Sequence, residues 1–207
     1  MSDSIWNLSL CAALDQTASA NPTPGGGSIA PMSGAFGLGL VLMALEVSAK
    51  KQTPAAEAAA AALDEGRAYL TEISQFVDRD VAVFQSYMAA LRLPKTTELE
   101  QAARDSARAA ASLDAARTPL LAAEACLRAL QFAKSAAPHV HKNVWSDLLA
   151  GADLLMGAIK AVLRTVDINL PALKDAATRQ VISERTVVLE HEAMQTYLRI
   201  VGAEPGC

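Results

Sequence analysis

The segment Ile29 to Leu45 carries no charged side chain, and Glu46, Lys50 and Lys51 follow it directly. In a soluble protein, a helix that is apolar around its whole circumference has to be buried, so other helices must surround it. The same run raises the alternative of a membrane span. It is shorter than the roughly 20 residues a span needs, it opens with Pro31 and it is closed at once by charge, so a buried central helix is the expectation. Ala30, Ser33, Gly34, Gly37 and Gly39 narrow it enough for other backbones to come close. With so much of its circumference uncharged, one face is expected to be covered by a second subunit.

The residues before it are Asn21-Pro22-Thr23-Pro24-Gly25-Gly26-Gly27-Ser28. Two prolines fix φ and three glycines open the φ > 0 region, which predicts a tight turn without side chains. The helix is expected to start near Pro31, with Ser28 or Ile29 close to its cap. Free amides at that start suit an anionic or electron-rich group. A nucleotide is not implied, since the Gly-x-x-x-x-Gly-Lys-Ser/Thr spacing is absent and no strand precedes the turn.

Hydrophobic residues make up 52% of the 207 and aromatics 4%, so the interior must be built from Ala, Leu and Val. That composition favours closely packed helices over strands. Net charge is −4 with Lys and Arg scattered, which leaves no footprint for nucleic acid or an anionic membrane surface. Cys11, Cys126 and Cys207 are odd in number and unpaired in spacing, and Met1 to Ser4 lacks a basic signal start. A reducing, cytoplasmic setting is the expectation.

Periodicity and helix punctuation divide the rest into helices, with one all-α domain over residues 1–207 and no internal repeat or linker. Ser4 is expected to cap a first helix to about Ala18, and the central helix to end around Lys51. Thr53-Pro54 opens a helix of roughly forty residues, because the next proline is Pro94. Leu63, Leu70, Val77, Phe84 and Leu91 recur along it every seven residues, with Gly66, Ile73, Asp80 and Tyr87 as the companion core positions. Asp80 thus falls where a core residue belongs, and a carboxylate there has to be neutral, paired or hydrogen-bonded.

Thr97 and Glu100 form a capping box for an Ala-rich helix to about Arg117, and Thr118-Pro119 is expected to start another that Pro138 closes. His139 to Asn143 is a loop, and Asn143 or Ser146 caps the next helix. Its seam reads Leu148, Ala152, Leu155, Ile159, Val162 and Val166, and the next step lands on Asn169, just before Leu170-Pro171. A last helix runs from about Lys174 to Val201 with Ile182, Leu189, Thr196 and Ile200 inward, and a short tail ends at Cys207. His139 and His141 make an HxH pattern without an evident third ligand, so no metal site is expected.

Asp80 is the leading candidate for chemistry, as a general base or the counter-charge to a cation, against the plainer reading of a structural buried Asp. Asn169 is the second candidate, against an amide that only satisfies backbone groups. Taken in order, Pro22 to Ser28 with the helix ending Lys50-Lys51, Asp80-Val81-Ala82-Val83-Phe84 and Leu93-Pro94-Lys95 form a first set of motifs. Pro119-Leu120, Asn143-Val144-Trp145-Ser146-Asp147 and Val166-Asp167-Ile168-Asn169-Leu170 follow. In this order the chain resembles the formiminotransferase-cyclodeaminase C-terminal domain family, which includes free-standing methenyltetrahydrofolate cyclohydrolases.

The resemblance implies an all-α fold, a homodimer, and a cleft for a tetrahydrofolate carrying a one-carbon group, with no metal or redox cofactor beyond that substrate. It gives Asp80 the catalytic role of stabilising an amidinium cation and moving a proton. The loop Pro24, Gly25, Gly26, Gly27 and Ser28 is expected to close over the folate, with Gly25 to Ser28 donating amides. Asn143 and Asn169 are expected to hold the pterin edge or the attacking water, and Lys50 and Lys95 to meet the anionic glutamyl tail. Ser146 and Asp147 complete the substrate-binding set.

The chain departs from the family pattern at Val140 and His141, where relatives carry Gly-Asn, and at Phe84, Ala49 and Thr165, where Tyr, Gly and Asn are usual. The expected activity is hydrolysis of 5,10-methenyltetrahydrofolate to the 10-formyl form, since the chain begins directly at this domain with no formiminotransferase portion. The alternatives are a formimidoyltetrahydrofolate cyclodeaminase releasing ammonia and a non-catalytic folate-binding or structural helical dimer. Asp80, Ser146, Asp147 and Asn169 speak against the last.

Overall fold

The computed structural model describes residues 4–204, and six α-helices carry the fold: α1 (Leu10–Thr17), α2 (Gly26–Ala49), α3 (Ala56–Arg92), α4 (Glu98–Ala136), α5 (Trp145–Asn169) and α6 (Ala176–Val201). Short 3-10 turns stand at Ile5–Asn7, Ala137–His139, Lys142–Val144 and Leu170–Ala172. Met1 to Asp3 and Cys207, which the sequence reading also used, lie outside the described residues.

The uncharged run becomes the central helix. α2 packs between α3 and α5, with α4 also against it, and Leu38, Val41, Ala44 and Leu45 have no exposed surface. By length and composition α2 would be apolar enough to cross a membrane, but 67% of that window is buried inside the protein. Its small residues bring the partner helix close. A Cβ on Gly37 would stand 2.8 Å from the Gly151 carbonyl oxygen, and one on Gly151 would stand 2.5 Å from the Gly37 carbonyl oxygen, so the α2 and α5 backbones touch there. Glu46, which interrupts the apolar stretch, stays half-exposed and accepts from Arg67 Nη2 at 2.6 Å.

The α5 seam is buried as read, with Leu148, Ala152, Leu155, Ile159, Val162 and Val166 at 0% exposure. The inward residues of α6, Ile182, Leu189, Thr196 and Ile200, are buried too. The Thr97–Glu100 capping box forms.

Several boundaries differ from expectation. Ser4 caps the Ile5–Asn7 turn, and Ser9 begins α1 separately because Leu8 is extended. α2 starts at Gly26 with Gly25 as its cap, which places Pro31 in the second turn. α3 starts at Ala56 without a side-chain cap, two residues after Pro54. Neither Asn143 nor Ser146 caps α5, whose cap is Val144. Asp175 caps α6 through the Ala177 and Thr178 amides.

The helix expected to end at Arg117 and the one expected to start at Thr118 are a single 39-residue α4, with Pro119 inside it. Proline φ is compatible with a helix, and its cost is one lost amide together with pressure on the carbonyl four residues back. The heptad seam of α3 packs on the core only through Val77, with Leu70 partly buried. Phe84, Tyr87 and Leu91 are half-exposed, because the second half of α3 borders a cleft rather than the core.

Cys126 is fully buried, and burial pushes its thiol up to about 12, while Cys11 is exposed; both are free. His141 Nδ1 accepts from the Asn143 amide and the His141 amide donates to Ser48 Oγ, which ties this loop to the end of α2. No group of three or more His, Cys, Asp or Glu gathers among the described residues.

Candidate functional site

A cleft of about 340 Å³ opens where the start of α2, the second half of α3, the middle of α4 and the end of α5 meet. That is within the size range of small-ligand sites. Asp80 stands on its wall, and no Lys, Arg or His joins it there among the described residues. Ser28 Oγ donates to Asp80 Oδ2 at 2.8 Å, while Oδ1 accepts from none of the described residues. Burial raises the Asp80 carboxyl above the ordinary carboxylate range, and the Ser28 bond pulls it partly back.

The glycines serve close approach rather than a left-handed turn. None of the described glycines has positive φ, and Gly25 is extended at φ −110. A Cβ on Gly27 would sit 2.1 Å from Asp80 Oδ1 and 2.5 Å from its carboxyl carbon. Only a glycine lets the carboxylate lie directly on the first turn of α2. The amides of Gly26 and Gly27 have no acceptor among the described residues, as expected of the first positions of a helix, and both residues line the cleft.

On the opposite side stands Asn169, the last residue of α5, whose Nδ2 donates to the Ala115 carbonyl of α4 at 2.8 Å. Thr165, one turn earlier, faces Gly26. Phe84 and Tyr87 extend the wall one and two turns beyond Asp80 and supply apolar, aromatic surface. The heptad reading gave these two to the core. The signal that they were not core was Asp80 itself, since a seam that accepts a carboxylate has met solvent or a ligand.

The sequence-based set divides in two. Asp80, Gly26, Gly27, Ser28 and Asn169 come together, with Gly25 as the adjoining cap. Pro24 is buried behind the loop, beside Asp78 and Val81, and the Thr23–Pro24 bond is cis. Lys50 closes the far end of α2, about 36 Å along the helix axis from Gly26. The Ser48–His141 bond places Asn143, Ser146 and Asp147 at that same far end. Lys95 is exposed in the loop after α3, where its carbonyl accepts from Gln101 Nε2. Within one chain, none of Lys50, Lys95, Asn143, Ser146 and Asp147 lines the cleft. The reason is length: α2 and α5 each carry predicted site residues at both ends.

Compared with known proteins, the profile described as formiminotransferase-cyclodeaminase matches residues 9–187. The chain belongs to this family. Within it, the chain is 31% identical over 166 residues to the methenyltetrahydrofolate cyclohydrolase of Methylorubrum extorquens, covering 79% of this chain and 80% of that protein. It is 29% identical over 174 residues to the formimidoyltransferase-cyclodeaminase of Gallus gallus, covering 83% of this chain but only 32% of that longer protein. The crystal structure of formiminotetrahydrofolate cyclodeaminase from Thermotoga maritima shares the fold, with a TM-score of 0.83 over 96% of both chains at 23% identity.

Proposed function

We propose that this family member is a methenyltetrahydrofolate cyclohydrolase, adding water to 5,10-methenyltetrahydrofolate to give 10-formyltetrahydrofolate. The observation that carries the reading is Asp80: a single carboxylate, raised by burial, without a protein cation beside it, on the wall of a ligand-sized cleft. A cationic amidinium is the partner such a group lacks. The likeness to the Methylorubrum extorquens cyclohydrolase, over four-fifths of its length, supports the same choice.

The chemistry follows from one proton carrier. Asp80 takes a proton from water as its oxygen bonds to the methenyl carbon, which discharges the amidinium. Asp80 then returns that proton to N5 as the carbon–N5 bond breaks, and the new hydroxyl loses its proton to solvent as the formyl C=O forms. The balance is one cation and one water in, one 10-formyl product and one proton out. Ser28 keeps the carboxylate oriented, and the Gly26 and Gly27 amides offer donors to the oxygen that develops charge. No step calls for a metal or redox cofactor.

The functional unit in this reading is a cytoplasmic homodimer. Along α2 a stripe of Ile29, Met32, Phe36, Leu40, Met43 and Val47 stays at least partly exposed, and Trp6 packs on Phe36 at 6.3 Å. A second copy lying antiparallel on that stripe buries it. The same arrangement returns Lys50, Asn143, Ser146 and Asp147 of one copy toward the Asp80 cleft of the other.

The test presents purified protein with 5,10-methenyltetrahydrofolate and with 5-formiminotetrahydrofolate in turn, following methenyl absorbance against the uncatalysed rate. Accelerated loss from the first is the expected result. Gain from the second identifies a cyclodeaminase instead, and no change in either leaves the folate-binding or structural dimer.

A further inference from the structure

Pro119 lies mid-way along α4, and a helical residue at that position normally donates its amide to the carbonyl of Ala115. Proline has no amide to give, and its ring presses that carbonyl outward. The oxygen so released is the one that Asn169 Nδ2 reaches at 2.8 Å. A carbonyl can only accept, so the bond settles which end of the Asn169 amide faces α4. The remaining oxygen, Oδ1, accepts from none of the described residues and is not sealed away from solvent, while Asn169 and Ala115 both line the cleft.

We propose that Pro119 is a positioning residue for the cleft: by withholding an amide from Ala115 it locks Asn169 so that Oδ1 is presented to the ligand as an acceptor. The locked end selects ligands that offer an N–H there, as the edge of a reduced pterin does, and rejects one offering a carbonyl. The inference rests on the reading of the cleft as a folate site. A proline inside a long helix otherwise weakens it, and alanine is far the better helix former at such a position. Pro119 therefore acts on ligand binding against the preference of its own helix.

The experiment replaces Pro119 with Ala, and with Val as a bulkier form, in the full chain; both restore the amide. The expected result is a folded protein with unchanged or higher Tm, a KM raised roughly fivefold to tenfold, the worth of one hydrogen bond, and kcat within about twofold. Asn169→Ala is expected to raise KM by a similar factor, and Pro119→Ala on top of it to add nothing. An unchanged KM in both Pro119 variants, or factors that multiply in the double variant, overturns the proposal. A second readout needs no turnover: the Asn169 side-chain amide protons, followed by NMR in 15N-labelled protein, exchange slowly in the native chain and faster in Pro119→Ala. Equal exchange overturns the positioning role. A native chain inactive on both folates, by contrast, refutes the proposed function and leaves this readout standing.

Discussion

Burial raises the Asp80 carboxyl, and Ser28 Oγ is its one hydrogen-bond donor among the described residues, so ionising it in the folded protein is unfavourable. A carboxyl whose folded pKa lies above its unfolded value binds its proton more tightly when folded. Its stabilising contribution is full below the unfolded pKa and is lost as pH rises through the folded one. Asp80→Asn removes that loss while keeping shape and the contact with Ser28. The variant is expected to melt above the native protein at neutral pH, with the difference closing in acid, as thermal melts across pH would record. Its cyclohydrolase rate is expected to fall by about a hundredfold or more, the usual weight of a positioned proton carrier. A folded Asp80→Asn protein with native turnover would show that another group carries the proton. Asp80 was legible from sequence because it breaks a heptad seam. Its partner Ser28 was legible only as part of a loop, since nothing in the spacing says which hydroxyl will meet a carboxylate 52 positions away.

Two glycines of α2 separate packing from chemistry along one helix. Gly27 lies against the Asp80 carboxylate, the movable end of a side chain, whereas Gly37 lies against the backbone of Gly151. Gly27→Ala is therefore expected to swing Asp80 aside, lowering activity at least tenfold with little change in Tm, alanine being the better helix former. Gly37→Ala has no such escape and is expected to cost about 1–3 kcal/mol of stability in chemical denaturation, because α2 and α5 must part. The sequence marked both as small residues, but it suggested positive φ for the loop glycines where the structure uses their missing Cβ. Close approach is a tertiary property and leaves no local trace. α4 teaches the converse: Thr118-Pro119 has every local mark of a helix start, yet packing of Ala122, Ala123, Cys126 and Leu130 into the core carries the helix through the proline. The α5 and α6 seams were read correctly because a buried stripe repeats at helical spacing whatever lies opposite it.

Four of the eleven predicted binding residues, Lys50, Asn143, Ser146 and Asp147, gather at the end of the molecule away from Asp80. Order along a chain shows which motifs are present but not that they meet within one copy. The cleft itself has no cation for an anionic glutamyl tail among the described residues, while Lys50 and Lys51 close the far end of α2. The proposed antiparallel pair of α2 helices, meeting on the apolar stripe around Phe36 at 50% exposure, would join those facts by bringing the cationic end of each copy to the cleft of the other. Phe36→Glu places a charge in that contact, and light scattering is expected to show monomers with native helicity but little turnover, although Phe36 does not line the cleft. Mixing gives the sharper outcome. Asp80→Asn and Lys50→Glu, assayed below KM, are each expected to be impaired alone; once unfolded and refolded together they form mixed dimers holding one intact cleft and one doubly altered cleft. About a quarter of the native rate should then return, since half of the dimers are mixed and half of their clefts are whole. A site complete within one chain would return nothing on mixing, because every cleft would still carry one of the two changes.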